Sequence, residues 1–193
     1  MKKHYHFVTV AIFVLFLTGI LFSYSHSSVV NILGDIARNR NVDANTSGSI
    51  SGKVVKVKDG DTVVIQPEGG GQFFVCRLYG IDAPEIAKSG KPGQLYGKEA
   101  TDALKKLVLG KDVTVITTGA RTYNREVCVI YHKDQNINLE MVRWGYAWAY
   151  RQYLKRPYAS EYIGAETEAR SKRLGLWHDT NPTPPWEFRK KTR

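Results

Sequence analysis

The chain has 193 residues, which suits one compact domain with an appendage and a core that needs no metal or disulfide staple. Lys and Arg number 28 against 18 Asp and Glu, a formal net charge of +10, so the surface should attract polyanions such as nucleic acid or anionic membrane. The two cysteines, Cys76 and Cys128, are too few and too far apart for a zinc-ligand pattern.

Met1-Lys-Lys-His-Tyr-His is a short basic start, and Phe7 to Phe22 is an apolar run without a charge. A spanning helix wants about 20 apolar residues and a signal-peptide core about 7 to 15, and this run falls between them. Residues 1–28 are therefore expected to be a signal peptide or a membrane anchor. The body would be exported, either secreted or periplasmic, or held at the membrane by its N-terminal segment. Residues 29–48 are rich in Ser, Asn, Asp and Gly and read as a flexible linker, so the folded domain is expected over 49–179.

Ser51 to Lys58 alternates as a half-buried strand, Asp59-Gly60 signals a turn, and Thr62 to Gln66 is a β-branched return. Gln72 to Ile81 predicts a third strand. Tyr96 to Leu109 predicts a helix with Ala100, Ala103, Leu104, Leu107 and Val108 as its apolar stripe, stopped by Gly110. Asp112 to Thr117 and Glu126 to Tyr131 predict two more strands, and Asn138 to Trp148 and Ala159 to Leu174 two more helices. Trp144 and Trp148, four apart, are expected to pack that helix on the sheet. Pro182, Pro184 and Pro185 should end regular structure and leave residues 180–193 as a Pro-rich basic tail. This element order is an α+β fold; periodicity by itself leaves a barrel and other small α+β arrangements open.

Three segments gather charge where strands end: Lys58-Asp-Gly-Asp-Thr62, Arg77-Leu-Tyr-Gly-Ile-Asp-Ala-Pro-Glu85 and Arg121-Thr-Tyr-Asn-Arg125. Asp61 and Asp82 offer the hard oxygens that a hard cation takes, with backbone carbonyls and water completing its shell. Arg77 lies in an apolar strand, where a guanidinium is costly unless its fork meets an anion. Glu85 follows Asp82 across the rigid Ala83-Pro84 turn, which would aim both carboxylates into one cavity. A cation, a base and two guanidinium groups are the parts needed for attack on a phosphodiester.

Read together, Asp59-Gly-Asp-Thr62, Arg77-Leu, Ile81-Asp-Ala-Pro-Glu85, Tyr96-Gly-Lys-Glu-Ala100, Tyr123-Asn-Arg125, Val142-Arg-Trp-Gly-Tyr-Ala147 and Gly175-Leu-Trp177 resemble the staphylococcal (micrococcal) nuclease family. The resemblance runs from about Ser51 to Trp177. It implies a five-stranded OB-fold barrel with packed helices and a monomeric, calcium-dependent endonuclease acting on DNA and RNA. Cleavage would fall at the P–O5′ bond and leave 3′-phosphates. Asp61 and Asp82 would bind Ca²⁺ with the backbone carbonyl of Ala83. Glu85 would serve as general base or water-orienting group, Arg77 and Arg125 would clamp the phosphate, and Tyr123 would contact the nucleotide's phosphate end. A base-stacking tyrosine is expected among Tyr146, Tyr150 and Tyr153.

The chain departs from the family pattern in places. Ala83 stands for a Thr, which matters little for a backbone ligand. Asn124 stands where Gly is typical and should keep the turn through left-handed backbone angles. Arg121 and Thr122 replace an Asp-Lys pair, which unsettles a neighbouring phosphate contact. In an OB barrel Cys76 and Cys128 would lie on adjacent strands, so an exported protein could join them or leave them free. The alternative function is a non-catalytic OB-fold nucleic-acid-binding module at the cell envelope. Degenerate copies of that kind lose carboxylates or arginines, whereas Asp61, Arg77, Asp82, Glu85 and Arg125 are all present here.

Overall fold

The computed structural model describes residues 49–192. The expected signal or anchor and the linker lie outside the described residues. Among the described residues no helix is long and apolar enough to cross a membrane.

The chain opens with strands β1 (Ser49–Asp59), β2 (Thr62–Pro67), β3 (Phe74–Leu78) and the short β4 (Ile81–Asp82). Helix α1 (Gly97–Val108) separates these from β5 (Asp112–Thr122), β6 (Arg125–His132) and β7 (Gln135–Asn136). Helix α2 (Ile137–Arg143), strand β8 (Trp148–Ala149), helix α3 (Tyr158–Ser171), a 3-10 turn (Gly175–His178) and helix α4 (Pro185–Lys191) complete the fold.

The main sheet runs β3-β2-β1-β5-β6-β7, and β3 also pairs in parallel with β6 through Arg77↔Val127 and Leu78↔Cys128. That last pairing joins the two ends of the five long strands into a ring. With a helix between the third and fourth of them, this is the expected OB barrel of an α+β fold. Inside it, Val54, Val63, Ile65, Leu78, Val115 and Ile130 are fully buried. In β1 the register shifts between Val54 and Lys56, so that Val54 and Val57, three apart, both face inward. A bulge of this kind re-phases a strand that must bend round a barrel.

Helix α1 presents Ala100, Leu104 and Val108 to the barrel at a spacing of four, as its stripe demands. Helix α2 is shorter than expected. Asn136 caps it by accepting from Leu139 N at 3.1 Å, but it stops at Arg143 and does not reach Trp148. The cause is Gly145, whose φ of 73° breaks the helix and lets the backbone touch Leu174, where a Cβ would meet the Leu174 carbonyl oxygen at 2.2 Å. Trp148 consequently lies on β8 and Trp144 is half exposed, so the two tryptophans do not form a helical pair.

The expectation that the prolines end regular structure is also corrected. Pro185 occupies the first turn of α4, where its missing N–H is not needed and its fixed φ suits a helix. The basic end of the chain is thereby ordered and turned back onto the body. Cys76 and Cys128 sit on the paired strands β3 and β6, and both are free and buried.

Candidate active site

The β1–β2 connection is two residues long, since Asp59 pairs with Thr62. Gly60 is required there: a Cβ would come within 2.7 Å of Ala83 Cβ and 2.9 Å of Ala100 Cβ. The absent side chain lets the turn press onto the segment after β4 and α1. Asp61, 7 % exposed, then accepts from Ala83 N at 3.0 Å through Oδ2 and from Thr62 Oγ1 at 2.9 Å through Oδ1.

Arg77 stands in β3 opposite Thr62, so the ladder places it beside Asp61. Its guanidinium forms an ion pair with Asp61 through Nη1 and donates from Nη2 to Asp82 Oδ1 at 2.7 Å. Burial lowers the guanidinium from its ordinary value; the carboxylates of Asp82 and Asp59 oppose that shift, while nearby Arg125 adds to it. The costly arginine in an apolar strand has thus met two carboxylates in this state of the protein.

Asp82 is fully buried. Its backbone is fixed by the pairing of β4 with β8, Ile81↔Ala149 and Asp82↔Trp148, continued by Tyr150 N donating to the Gly80 carbonyl at 2.8 Å. The aromatic stretch after α2 is therefore part of the wall that holds the acidic residue. Glu85 follows on a loop clamped by Gln94, which accepts from Glu85 N at 3.2 Å and donates from its own backbone N to the Glu85 carbonyl at 2.7 Å.

Arg125 begins β6 directly after the Tyr123-Asn124 turn, in which Thr122 pairs with Arg125. Its Nε donates to the Thr122 carbonyl at 3.4 Å, and its guanidinium lies 6.0 Å from the centre of the Tyr123 ring. Tyr123 is 91 % exposed at the hairpin tip. The left-handed residue of this turn is Tyr123, with φ 55°, and not Asn124, which corrects the expected backbone assignment. Arg121 pairs across the hairpin with Glu126 at 2.8 Å.

Sequence reasoning missed Arg189. From α4 its Nη1 and Nη2 donate to Asp82 Oδ1 and Oδ2 at 3.0 and 2.8 Å, and Nη1 also donates to Glu85 Oε1 at 2.8 Å. The segment read from sequence only as a Pro-rich basic tail, and nothing in it distinguished one arginine as a partner of Asp82. The structure thus gathers Asp61, Arg77, Asp82, Ala83 and Glu85 into one contiguous set. Arg125 is close enough to act electrostatically on Arg77, and Tyr123 stands outside at the rim.

The donors suit a hard cation. Asp61 and Asp82 supply carboxylate oxygens, Ala83 follows Asp82 directly and donates from its backbone N to Asp61, and the Arg189 guanidinium already plays the part of a cation on Asp82 and Glu85. Among the described residues no group of three or more His, Cys, Asp or Glu forms a ready-made metal cage. A cation here would complete its shell with backbone oxygen and water, as hard cations do.

A family profile described as staphylococcal nuclease homologue matches residues 75–179. An uncharacterized endonuclease of Haemophilus influenzae is 40 % identical over 141 residues, covering 73 % of this chain and 74 % of that protein. The micrococcal nuclease of Shigella flexneri is 37 % identical over 151 residues, covering 74 % and 82 %. The staphylococcal-like nuclease CAN1 of Arabidopsis thaliana is 44 % identical over 120 residues, 62 % of this chain but 34 % of the plant protein. A closed OB barrel, an acidic pair with its arginine and a match over most of the chain agree: the chain belongs to the staphylococcal nuclease homologue family and is a phosphodiester-hydrolysing nuclease.

Proposed function

We propose that this nuclease is calcium-dependent and hydrolyses the P–O5′ bond of both DNA and RNA, leaving 3′-phosphates, outside the cytoplasm or at the membrane. The observation that carries the reading is the convergence of Asp61 and Asp82 on the buried fork of Arg77, with Glu85 joined to Asp82 through the shared guanidinium of Arg189. Isolated carboxylates this close would repel, and a site of hard oxygens beside a planar guanidinium suits a divalent cation with a phosphate.

Asp61, Asp82 and the Ala83 carbonyl would hold the Ca²⁺, and Arg77 and Arg125 would bind the phosphate. When bound, the calcium ion supplies positive charge beside the scissile phosphate and helps offset the charge of the transition state. Glu85 orients the attacking water and takes one of its protons as the new O–P bond forms. Arg125, at the more open side of the site, hydrogen-bonds the O5′ oxygen as the P–O5′ bond breaks. That oxygen takes a proton from solvent water as it leaves, and Glu85 returns its own to solvent, so no net proton is gained or lost by the protein. The exposed Tyr123 ring sits where it can contact the nucleotide without entering the acidic cluster. No second subunit is needed to complete this residue set, in keeping with a monomer.

Mapping the product ends after digestion of end-labelled single-stranded DNA and RNA in calcium tests the reading. It requires 3′-phosphates and 5′-hydroxyls from both polymers. Products ending in 3′-hydroxyls would assign the wrong bond, and tight binding with intact strands would favour a binding module instead.

A further inference from the structure

Helix α4 lies across the site by three separate contacts. The Thr183 carbonyl ahead of it accepts from Gln94 Nε2 at 2.5 Å, the same side chain that clamps Glu85. Trp186 lies parallel to Tyr150, with ring centres 5.2 Å apart and planes 2° from parallel, and its edge meets Trp148 at 5.5 Å. Arg189 takes both oxygens of Asp82 and one of Glu85.

These contacts exclude what the site would otherwise hold. Asp82 is fully buried; Oδ1 already accepts from Arg77 and Arg189, and Oδ2 from Arg189. A divalent ion on Asp82 must take at least one of these oxygens and would then face the Arg189 guanidinium at contact distance, where like charges repel strongly away from bulk water. Trp186 meanwhile covers an aromatic face on which a nucleobase could stack.

We propose that α4 is an autoinhibitory plug in which Arg189 competes with the divalent cation for Asp82 and Glu85. Cation binding and release of α4 are then two sides of one equilibrium, and each weakens the other by the same factor. The affinity measured for the cation is reduced by the fraction of molecules whose site is plugged. This inference rests on the calcium reading of the same site.

Calorimetric titration of Ca²⁺ into the full chain and into Arg189→Gln tests it. The variant should bind Ca²⁺ about 5- to 150-fold more tightly, the usual span of such couplings. A merely structural arginine would leave the affinity unchanged or weaken it. Hydrogen exchange in the unmutated chain supplies an independent measure that needs no variant to fold: amides of residues 185–191 should exchange faster once Ca²⁺ is added. Equal or weaker Ca²⁺ binding by a folded variant, or unchanged or slower exchange in α4 on adding Ca²⁺, overturns the plug while leaving a calcium nuclease standing. Ca²⁺ binding to neither protein overturns the plug and the calcium reading together.

Discussion

Arg77 links Asp61 and Asp82, and its consequences differ for stability and for chemistry. Removing its charge leaves Asp82 buried with fewer partners, and breaking a buried pair from one side costs about 3–5 kcal/mol. Arg77→Met should therefore lower the unfolding free energy by roughly that amount in a denaturant titration, with Arg189 on Asp82 pulling the value toward the lower end. Arg77→Lys keeps the charge but not the fork; cleavage should fall by about 10²–10³ while much of the stability returns. Gly60→Ala reports on the turn: its Cβ would meet two alanine methyls, and overpacking of that kind costs about 1–3 kcal/mol. Cys76 offers a further check. Burial, followed by the contact with Cys128, raises its thiol well above the ordinary value. Both thiols should resist thiol reagents at pH 8 in the native protein and react together on unfolding; prompt native labelling would contradict their placement. The carboxylates and Arg77 were legible in the sequence because a charge in an apolar strand demands a partner. Arg189 was not, because its partners lie 104 and 107 positions away and only the fold brings them near.

Strands and helices differ in how far their own sequence determined them. The four-residue stripe of α1 marks its buried face directly, whereas the bulge in β1 re-phases its alternation beyond Val54; both elements form close to the expected bounds. Leu104→Ala should open a cavity under α1 and cost about 2–5 kcal/mol, measured by chemical denaturation. Helix α2 ended five residues before the expected Trp148 for a tertiary reason. Gly145 and Gly175 approach so closely that a Cβ on Gly175 would meet the Gly145 carbonyl oxygen at 2.3 Å, a contact no local pattern announces. The residues released from the helix form β8, which fixes Asp82, so the local exception builds part of the site. Helix α4 was obscured by ambiguity: proline ends one element and can begin the next, and only the packing of Trp186 against Trp148 and Tyr150 decides between them.

At the level of the whole molecule, closure of the barrel by β3 and β6 brings Arg77 and Arg125 into neighbouring strands, with Asp61 delivered by the turn before β2. The fold was legible because each motif kept its order along the chain; the mutual packing of motif and C-terminal helix was not, since it depends on the closed shape. The net charge of +10 adds a long-range pull on polyanions. Substrate affinity should consequently fall as salt rises, with a linear decline of the logarithm of affinity against the logarithm of salt. The central claim is that the carboxylate pair works through calcium, and chelation during cleavage tests it most directly. With single-stranded DNA as substrate, the rate should collapse at least about a hundredfold when a calcium chelator is added and return when excess Ca²⁺ is restored, in line with the loss of one main electrostatic contribution. A rate that persists undiminished in chelator would contradict it.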